Sequence, residues 1–350
     1  MALRVVQWAT GNVGSVAVRN IVEHPELELV GVHAHSEHKV GKDAAELAGL
    51  DTPTGVIATN DVDALIALKP DCIHYSPIVR DLDLICRFLE AGINVVGTAR
   101  FITGAYIGED STNRLEQACK AGNSSIYGTG LNPGTTNAVA ILAAGMCDRI
   151  YSIDISEGVD VTRYASKDTW ESLGWGQPLG SVHHDTSAQE FETTEIREAM
   201  EMTAEALGIE IDEVRFETEF AIANEDIELS FMSIPKGTVA GQRSTYHGMR
   251  NGRSVVRQHI AYSMGTNITP SFHLGGYLME VEGEPSVQAT LSFPKPKVDG
   301  VCRPKHSMDR GMVVVASAGV NAIPLVCAAP AGIRKVYELP LITARGLAVD

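Results

Sequence analysis

Residues 3–14 read LRVVQWATGNVG, an apolar run that passes directly into a glycine-containing turn and a helical pattern. The turn matches the dinucleotide-binding pattern G-x-G-x-x-G, with Ala9 in place of the first glycine. In that pattern Gly11 lets a pyrophosphate approach the backbone, Gly14 lets the helix pack closely on the strand, and free N–H groups at the helix start attract phosphates. The segment therefore predicts nucleotide binding by Thr10, Gly11, Asn12, Val13 and Gly14, with an ordinary tight turn as the alternative.

Strand-like and helical segments alternate from this turn to residue 128. Short β-like runs occupy residues 3–8, 28–34, 56–59, 71–75, 93–98 and 125–128. Helical patterns occupy residues 15–22, 62–68, 82–91 and 112–121. Such alternation predicts βαβ units and a parallel sheet, whose ligands bind at the carboxyl ends of the strands.

The end of the second strand bears on the choice of cofactor. NAD-binding folds of this kind usually place Asp or Glu there to hold the ribose hydroxyls. Residues 33–39 instead read HAHSEHK. Ser36 and Lys39, with help from His38, would suit the 2′-phosphate of NADP, whereas Glu37 favours NAD. We therefore predict NADP, with NAD as the alternative.

No metal site is predicted. His33 and His35 share one face of the second strand, but no carboxylate or cysteine completes a ligand set, and a solvated loop is the simpler interpretation. The six cysteines include no C-x-x-C pair, which favours reduced thiols over a disulfide framework or a zinc site.

The charge balance excludes one broad class of partner. The 350 residues include 28 Lys and Arg against 44 Asp and Glu, a formal net charge of −16, which argues against nucleic acid. Residues 189–228 hold 14 of the acidic side chains and two arginines. We interpret much of that stretch as the solvated face of a helix capped by Ser187, with a partner surface as the alternative.

The sequence also favours a cytoplasmic protein that does not bind a membrane. The chain enters a strand at once, without a signal-peptide pattern before it. No stretch approaches the roughly 20 consecutive apolar residues that span a bilayer.

The second half of the chain has a different pattern. A new sheet begins at residues 151–158, and further strand-like runs lie at residues 215–223, 239–247, 255–262 and 287–293. Asn251-Gly252 between two of them predicts a tight hairpin. These runs predict a second, separate layer of helices and strands.

Several loop residues in this half are candidates for chemistry. Residues 170–178 read WESLGWGQP, which suits either an apolar lid over a substrate or ordinary packing. His184, followed by Asp185, is a candidate acid–base group, with a simple lead into a helix as the alternative. Tyr164 and Tyr106 are candidate proton donors on loops.

Four motifs now point to a known family. They are VVQWATGNVG at residues 5–14, GTGLNPG at 128–134, GWG at 174–176 and NAIP at 321–324. Together they resemble the dihydrodipicolinate-reductase-like proteins that include 2,4-diaminopentanoate dehydrogenase and the native amine dehydrogenases. The resemblance spans nearly the whole chain and keeps the order of the motifs.

This resemblance implies an α/β fold, a Rossmann-type parallel sheet with a second α+β domain built on an open mixed sheet. Residues 1–132 would form the dinucleotide-binding domain, 133–315 the substrate and dimerisation domain, and 316–350 a segment returning to the first. It also implies bound NAD(P), a small-molecule substrate and a homodimer. The residues expected to border the nicotinamide are Ser76, Pro77, Thr98, Ala99, Asn132 and Pro133.

Two departures from the family pattern concern the reaction. Amine dehydrogenases of this group carry a glutamate just after the fifth strand, whereas residues 98–103 here read TARFIT. The nearest carboxylate is Glu109. The lysine-pathway reductases use a His-His pair and a lysine after the first strand of the second domain, where residues 156–160 here read SEGVD.

We therefore predict an NAD(P)-dependent oxidoreductase that transfers a hydride to or from a C=O or C=N carbon of a small molecule. The candidate catalytic residues are Glu109, Tyr164 and His184. A non-catalytic NADP-binding sensor or degenerate paralogue is the alternative.

Overall fold

A computed structural model of the chain describes residues 1–98, 100–272, 274–294 and 310–347. These residues form two compact units. The first contains Met1–Thr135 and the described residues 310–347, and the second contains residues 136–272 and 274–294. The three-part division predicted above stays a prediction.

The elements follow one another in chain order. The first unit begins with β1 (Leu3–Trp8), α1 (Asn12–Glu23), β2 (Leu27–His33), α2 (Ala44–Ala48), β3 (Ala58–Thr59), α3 (Val62–Ala67), β4 (Cys72–Tyr75), α4 (Leu82–Glu90), β5 (Asn94–Gly97), α5 (Glu109–Gly122) and β6 (Ser125–Gly128). The second unit contains α6 (Thr136–Ala144), β7 (Arg149–Asp160), α7 (Lys167–Ser172), α8 (Thr186–Glu192), α9 (Thr194–Ala206), β8 (Glu213–Ala223), β9 (Ile227–Glu228), β10 (Ser233–Ile234), β11 (Val239–Arg250), β12 (Arg253–Ser263), β13 (Ile268–Thr269), β14 (Gly276–Glu284) and β15 (Val287–Leu291). Then α10 (Arg310–Cys327) and β16 (Gly332–Arg334) complete the first unit.

The first unit is built on a seven-stranded sheet in the order β16-β6-β5-β4-β1-β2-β3. All of its neighbouring strands run parallel. The order reverses direction at β1, which is the topology of a Rossmann sheet. The predicted Rossmann-type parallel sheet is confirmed.

Both faces of this sheet are covered, because β1 and β4 are apolar on both sides. Val5 lies in one buried cluster with Val16 and Ile21 of α1 and with Val320 of α10. Val6 lies in the cluster on the other side, which includes side chains of α4 and α5. Each fully buried aliphatic side chain contributes about 1.5–3 kcal/mol to folding.

The second unit contains a mixed sheet in the order β13-β8-β11-β12-β7-β14-β15. β12 and β7 run parallel, and the other pairs are antiparallel. The predicted hairpin is confirmed: β11 and β12 are joined by Asn251 and Gly252, which both adopt positive φ. The open mixed sheet expected for this part of the chain is thereby confirmed.

One face of this sheet carries the core of the second unit. Ile153 and Ile155 of β7 pack in a cluster with Ala140 of α6 and Met200 of α9. The intervening residues on the other face are largely polar, with ion pairs between Arg243 and Glu219 and between the side chains of Arg257 and Asp154. The sheet therefore has one apolar and one charged face.

The acidic stretch differs from the single helix face that we predicted. Its helical part is divided into α8 and α9 at Thr193, and Asp185, not Ser187, caps α8 by accepting a hydrogen bond from the Ser187 N–H at 2.9 Å. Of the later acidic residues, Glu213, Glu217 and Glu219 lie on β8, where the Glu217 carboxylate lies 3.2 Å from His247 Nε2. Glu198 of α9 is buried. Local helix propensity could not reveal which glutamates lie on a strand.

One described helix, α10, is long and apolar enough to cross a membrane by length and composition, although we predicted no such stretch. Core helices of globular domains satisfy the same criterion. One side of α10 packs in the core of the first unit, where Ala316, Ala322 and Ile323 are buried and Asn20 of α1 donates to Ser317 at 3.0 Å.

Candidate functional site

The predicted phosphate-binding turn lies between β1 and α1. Gly11 precedes the first residue of α1, and no side chain caps the helix or places an acidic group in its first turn. A Cβ atom added to Gly11 would meet no other atom within 4 Å. The first N–H groups of α1 therefore face open space, as a pyrophosphate needs.

The backbone of this turn requires Gly14. A Cβ atom on Gly14 would lie 2.1 Å from the carbonyl oxygen of Ala9. Ala9 itself has a φ of 72°, in the left-handed region that costs a residue with a side chain about 1–2 kcal/mol. The turn thus keeps the shape of the glycine pattern even with alanine at its first position.

A buried polar network holds the strained turn, and sequence reasoning missed it. The side-chain amide nitrogen of Gln7 lies 2.9 Å from the carbonyl oxygen of Ala9, 3.1 Å from that of Trp8 and 2.8 Å from the Ser76 hydroxyl. The Gln7 amide oxygen accepts from Nδ1 of His74 at 2.8 Å. Both Gln7 and His74 are fully buried. The available signal was one polar residue inside each of two apolar strands.

The strand ends meet in register at one edge of the sheet. The backbone N–H of Ala9 donates to His33, that of Ser76 to Trp8, that of Thr98 to Tyr75 and that of Thr129 to Gly97, at distances of 2.9–3.1 Å. Ser76, Pro77 and Thr98 therefore lie at the same edge as the phosphate turn. Asn132 and Pro133 follow β6 in an irregular turn with a cis peptide bond between them. Ala99 lies outside the described residues.

The end of β2 also lies beside the turn. The Lys39 ammonium donates a hydrogen bond to the carbonyl oxygen of Thr10 at 2.7 Å. Ser36 precedes a short helical turn of residues 37–39, in which Glu37 and His38 are exposed. One positive charge is thus fixed next to the phosphate-binding turn.

His33, at the end of β2, is buried beside this edge of the sheet. Its ring stacks on Trp8 with the ring centroids 3.9 Å apart and the planes inclined by 2°. Burial, and secondarily the proximity of His35, lowers the pKa of His33 to about 4. His33 is therefore neutral and forms part of the core.

This pKa predicts a pH dependence of stability. Because the pKa of folded His33 lies below that of an unfolded histidine, its contribution is complete above about pH 6.5 and is lost as the pH falls toward 4. We expect His33→Phe, which keeps a flat ring on Trp8, to reduce the slope of unfolding free energy against pH by up to about 1.4 kcal/mol per pH unit between pH 6 and 4.5. Urea titrations at several pH values measure the slope, and an unchanged slope would contradict the assignment.

The candidate catalytic residues occupy three different environments. Glu109 is the first residue of α5 and its side chain is exposed, at the edge of the sheet to which β5 leads. Tyr106, in the loop before it, is also partly exposed. Exposure at these positions does not test a catalytic role, so Glu109 and Tyr106 stay predicted candidates.

His184 makes contacts within its own loop. Its Nε2 lies 2.9 Å from the carbonyl oxygen of Gly174, and its Nδ1 lies 3.2 Å from both the Gly180 N–H and the Ser181 hydroxyl. Asp185, expected to orient His184, caps α8 instead. Both ring nitrogens thus hold the loop together, and burial lowers the pKa of His184.

The loop with the two tryptophans is packed into the core of the second unit. Trp170 and Trp175 are buried, with ring centroids 5.0 Å apart. Tyr164 packs edge-on against Trp170 at 5.4 Å, and its carbonyl oxygen accepts a hydrogen bond from the Trp170 indole. Of the two interpretations of this segment, the structure supports packing, because a lid needs tryptophans that are accessible.

A buried carboxylate of the second unit was noted in the sequence only as a departure from a family pattern. Glu157 of β7 is buried and accepts a hydrogen bond from the Tyr262 hydroxyl at 3.1 Å. An acidic residue in a strand gives no sequence signal of burial. Elsewhere, the described residues include no group of three or more His, Cys, Asp or Glu placed to hold a metal ion.

The comparisons with known proteins agree with this architecture. Residues 145–348 match a family model described as the 2,4-diaminopentanoate dehydrogenase C-terminal domain, which is more than half of the chain. The chain belongs to the 2,4-diaminopentanoate dehydrogenase family. The predicted resemblance is thereby confirmed, together with the expectation of an oxidoreductase.

Other relatives of this member of the 2,4-diaminopentanoate dehydrogenase family are similar along the whole chain. An amine dehydrogenase of Streptomyces virginiae is 28% identical over 98% of both chains. The solved amine dehydrogenase of Mycobacterium smegmatis has the same fold, with a TM-score of 0.79 and 18% identity over 98% of this chain and 97% of that one. A scyllo-inositol dehydrogenase of Lactobacillus casei, solved with bound NAD(H), shares the fold at a TM-score of 0.51 and 13% identity over 93% and 89% of the chains.

Proposed function

We propose that the protein is an NADP-dependent dehydrogenase that transfers a hydride between the nicotinamide and the carbon that bears nitrogen in a small amine or imine. The uncapped, open N-terminus of α1 after the glycine turn carries the cofactor part of this proposal. The match to a dehydrogenase family model over residues 145–348 supports the reaction class.

Bound NADP would supply the hydride acceptor or donor. The chain's own residues would bind and orient it: the N–H groups that follow Gly11 would face the pyrophosphate, and Lys39 places a cation beside the turn. Gln7 fixes the Ala9 carbonyl and Ser76 together, so that the phosphate turn and the end of β4 keep one geometry. Such fixed geometry is what positions a reacting carbon against the nicotinamide.

The reaction is tested by following NADPH absorbance with a panel of ketones and aldehydes, with and without ammonia. We expect oxidation of NADPH only when ammonia is present. Turnover without ammonia would establish carbonyl reduction instead. NADPH binding without any turnover would support the sensor alternative, which the absence of a glutamate in residues 98–103 favours.

The cofactor preference rests on Lys39. We expect Lys39→Ala to weaken NADPH binding by about tenfold or more and NADH binding by less than about twofold, because a charge-assisted contact to the 2′-phosphate is lost. Fluorescence titration measures both dissociation constants. Lys42→Ala is the matched control, since Lys42 pairs with Glu46 at 2.5 Å on the surface. Equal losses for the two cofactors would contradict the NADP assignment.

We also propose that the protein is a homodimer, as the family resemblance implies. The charged face of the second sheet is a suitable surface, because its arginines and carboxylates lie in alternation, for example Arg243 with Glu219. The mass of one chain is 37.5 kDa. Sedimentation velocity at low salt should give twice that mass. The double substitution Glu219→Lys and Arg243→Glu tests whether this face forms the dimer contact. A wild-type protein that sediments as a monomer would refute the proposal.

A further inference from the structure

The helix α10 approaches the first sheet closely at a glycine. Gly319 is buried in the interior of α10, and an added Cβ atom there would lie 2.4 Å from Nε2 of His74, 3.0 Å from its Cδ2 and 3.3 Å from Cγ2 of Thr98. Glycine is unfavourable in a helix interior compared with alanine. The position is therefore explained by the close approach of the helix backbone to the His74 ring, for which a side chain leaves no room.

The ring of His74 is held in one orientation and one tautomer. The Gln7 amide nitrogen faces three oxygen atoms, so the amide oxygen of Gln7 faces His74. Nδ1 of His74 therefore carries the proton that it donates to this oxygen at 2.8 Å. Burial lowers the pKa of His74 to about 4, so the ring is neutral at pH 7 and Nε2 carries no proton. Nε2 faces Gly319 and has no hydrogen-bond partner in the described ranges of the chain.

The same contacts continue from His74 to the phosphate-binding turn. The Gln7 amide nitrogen lies 2.9 Å from the carbonyl oxygen of Ala9, whose φ of 72° gives the turn its shape, and 2.8 Å from the hydroxyl of Ser76. Because Gln7 and His74 are both fully buried, neither side chain has space to move alone. A displaced His74 ring would therefore shift Gln7, and with it the Ala9 carbonyl group and Ser76.

We propose that Gly319 is a positioning residue for the cofactor site, and that it acts on the phosphate-binding turn through His74 and Gln7. The bare helix backbone at Gly319 fixes the depth of the His74 ring, and the ring fixes Gln7. Its approach to Thr98 also sets the end of β5 at the same edge of the sheet. The C-terminal helix thereby supports the geometry of the turn without contacting the cofactor. This inference rests on the proposed binding of NADP at the turn.

The first test compares two crowded glycines of the same unit in the full chain. Gly319→Ala is expected to weaken NADPH binding by about tenfold, because the methyl group displaces the ring that anchors the turn. Gly31→Ala is the matched control, since its Cβ atom would lie 2.7 Å from Cδ2 of Leu65, a flexible aliphatic end with no contact to Gln7. Both variants should lower Tm, but Gly31→Ala should keep its NADPH affinity within about twofold of the wild type.

The second test is a rescue by His74→Asn in the Gly319→Ala protein. The asparagine amide can donate to Gln7 from near the position of Nδ1, and it lacks the ring atom Nε2 that the new methyl group would meet. We expect the double variant to bind NADPH at least about threefold more tightly than Gly319→Ala. If Gly319→Ala fails to fold, His74→Phe decides, because phenylalanine keeps a ring against Gly319 but cannot donate to Gln7. NADPH binding about tenfold weaker is then expected.

Three results would overturn the positioning role: unchanged NADPH affinity in Gly319→Ala or His74→Phe, an equal loss in Gly31→Ala, or no recovery on adding His74→Asn. A wild type that binds neither NADPH nor NADH would instead refute the proposed function. The positioning role is then decided by NMR on protein labelled with ¹⁵N-glycine. The amide signals of Gly11 and Gly14 should move in Gly319→Ala and stay in place in Gly31→Ala, and unmoved signals in Gly319→Ala would contradict the role.

Discussion

A Gly14→Ala protein is expected to bind NADPH at least about tenfold more weakly than the wild type and to lose about 1–3 kcal/mol of stability. The added methyl group would lie 2.1 Å from the Ala9 carbonyl oxygen, which is backbone and cannot rotate away. Either α1 or the turn must shift, and the N–H groups of the first helical turn move with it. Fluorescence titration with NADPH and urea unfolding measure the two losses.

Gly11→Ala separates the two effects. A Cβ atom there meets no neighbour within 4 Å, and the φ of Gly11 is −75°, which alanine adopts freely. Its stability should therefore stay within about 0.5 kcal/mol of the wild type. Its NADPH affinity should still fall by about tenfold, since the methyl group occupies the space that a pyrophosphate needs. Unchanged affinity in Gly11→Ala would place the phosphates elsewhere.

Gln7→Leu is expected to produce the largest loss of stability, about 3–5 kcal/mol. Leucine has a similar volume, but it leaves His74 Nδ1 and the Ala9 carbonyl oxygen without the partners that Gln7 provides at 2.8 Å and 2.9 Å. The left-handed Ala9 then lacks its anchor. We expect a fall in Tm on the order of 10 °C and a parallel loss of NADPH affinity.

The control for this variant is Gln288→Leu, on the exposed side of β15, where Gln288 bonds only weakly to Glu280 at 3.4 Å. Its Tm should change by less than about 2 °C. If Gln7→Leu behaves like Gln288→Leu, the network is not what holds the turn. A Gln7→Leu protein that keeps its stability but loses NADPH affinity would show that the network sets the geometry of the binding turn and not the stability of the fold.

The sequence predicts the first sheet well because its signals are local. An apolar run followed by Gly11 and Gly14 specifies a strand, a turn and a helix within 12 residues, and each later βαβ unit repeats the pattern. The hairpin at Asn251 is equally local. Both predictions succeed because residues close in sequence determine the local backbone conformation.

The candidate site is harder to predict, because its decisive contacts join distant parts of the chain. Gln7 and His74 are 67 residues apart, and Glu157 and Tyr262 are 105 apart. A polar residue inside a strand has no sequence feature that identifies its buried partner. His184 stays a prediction: its neighbour Asp185 suggested a catalytic pair, whereas in the structure Asp185 caps α8 and His184 contacts its own loop.

The first unit is assembled from both ends of the chain. Its sheet is extended at one edge when β16 pairs with β6, and α10 packs beside α1. During translation the entire second unit is therefore synthesised before α10 leaves the ribosome. Until then the apolar side of α1 that Val320 and Ile323 cover stays open to solvent and to chaperones. The order of translation thus makes the second unit the earlier one to mature, although the nucleotide turn is made first.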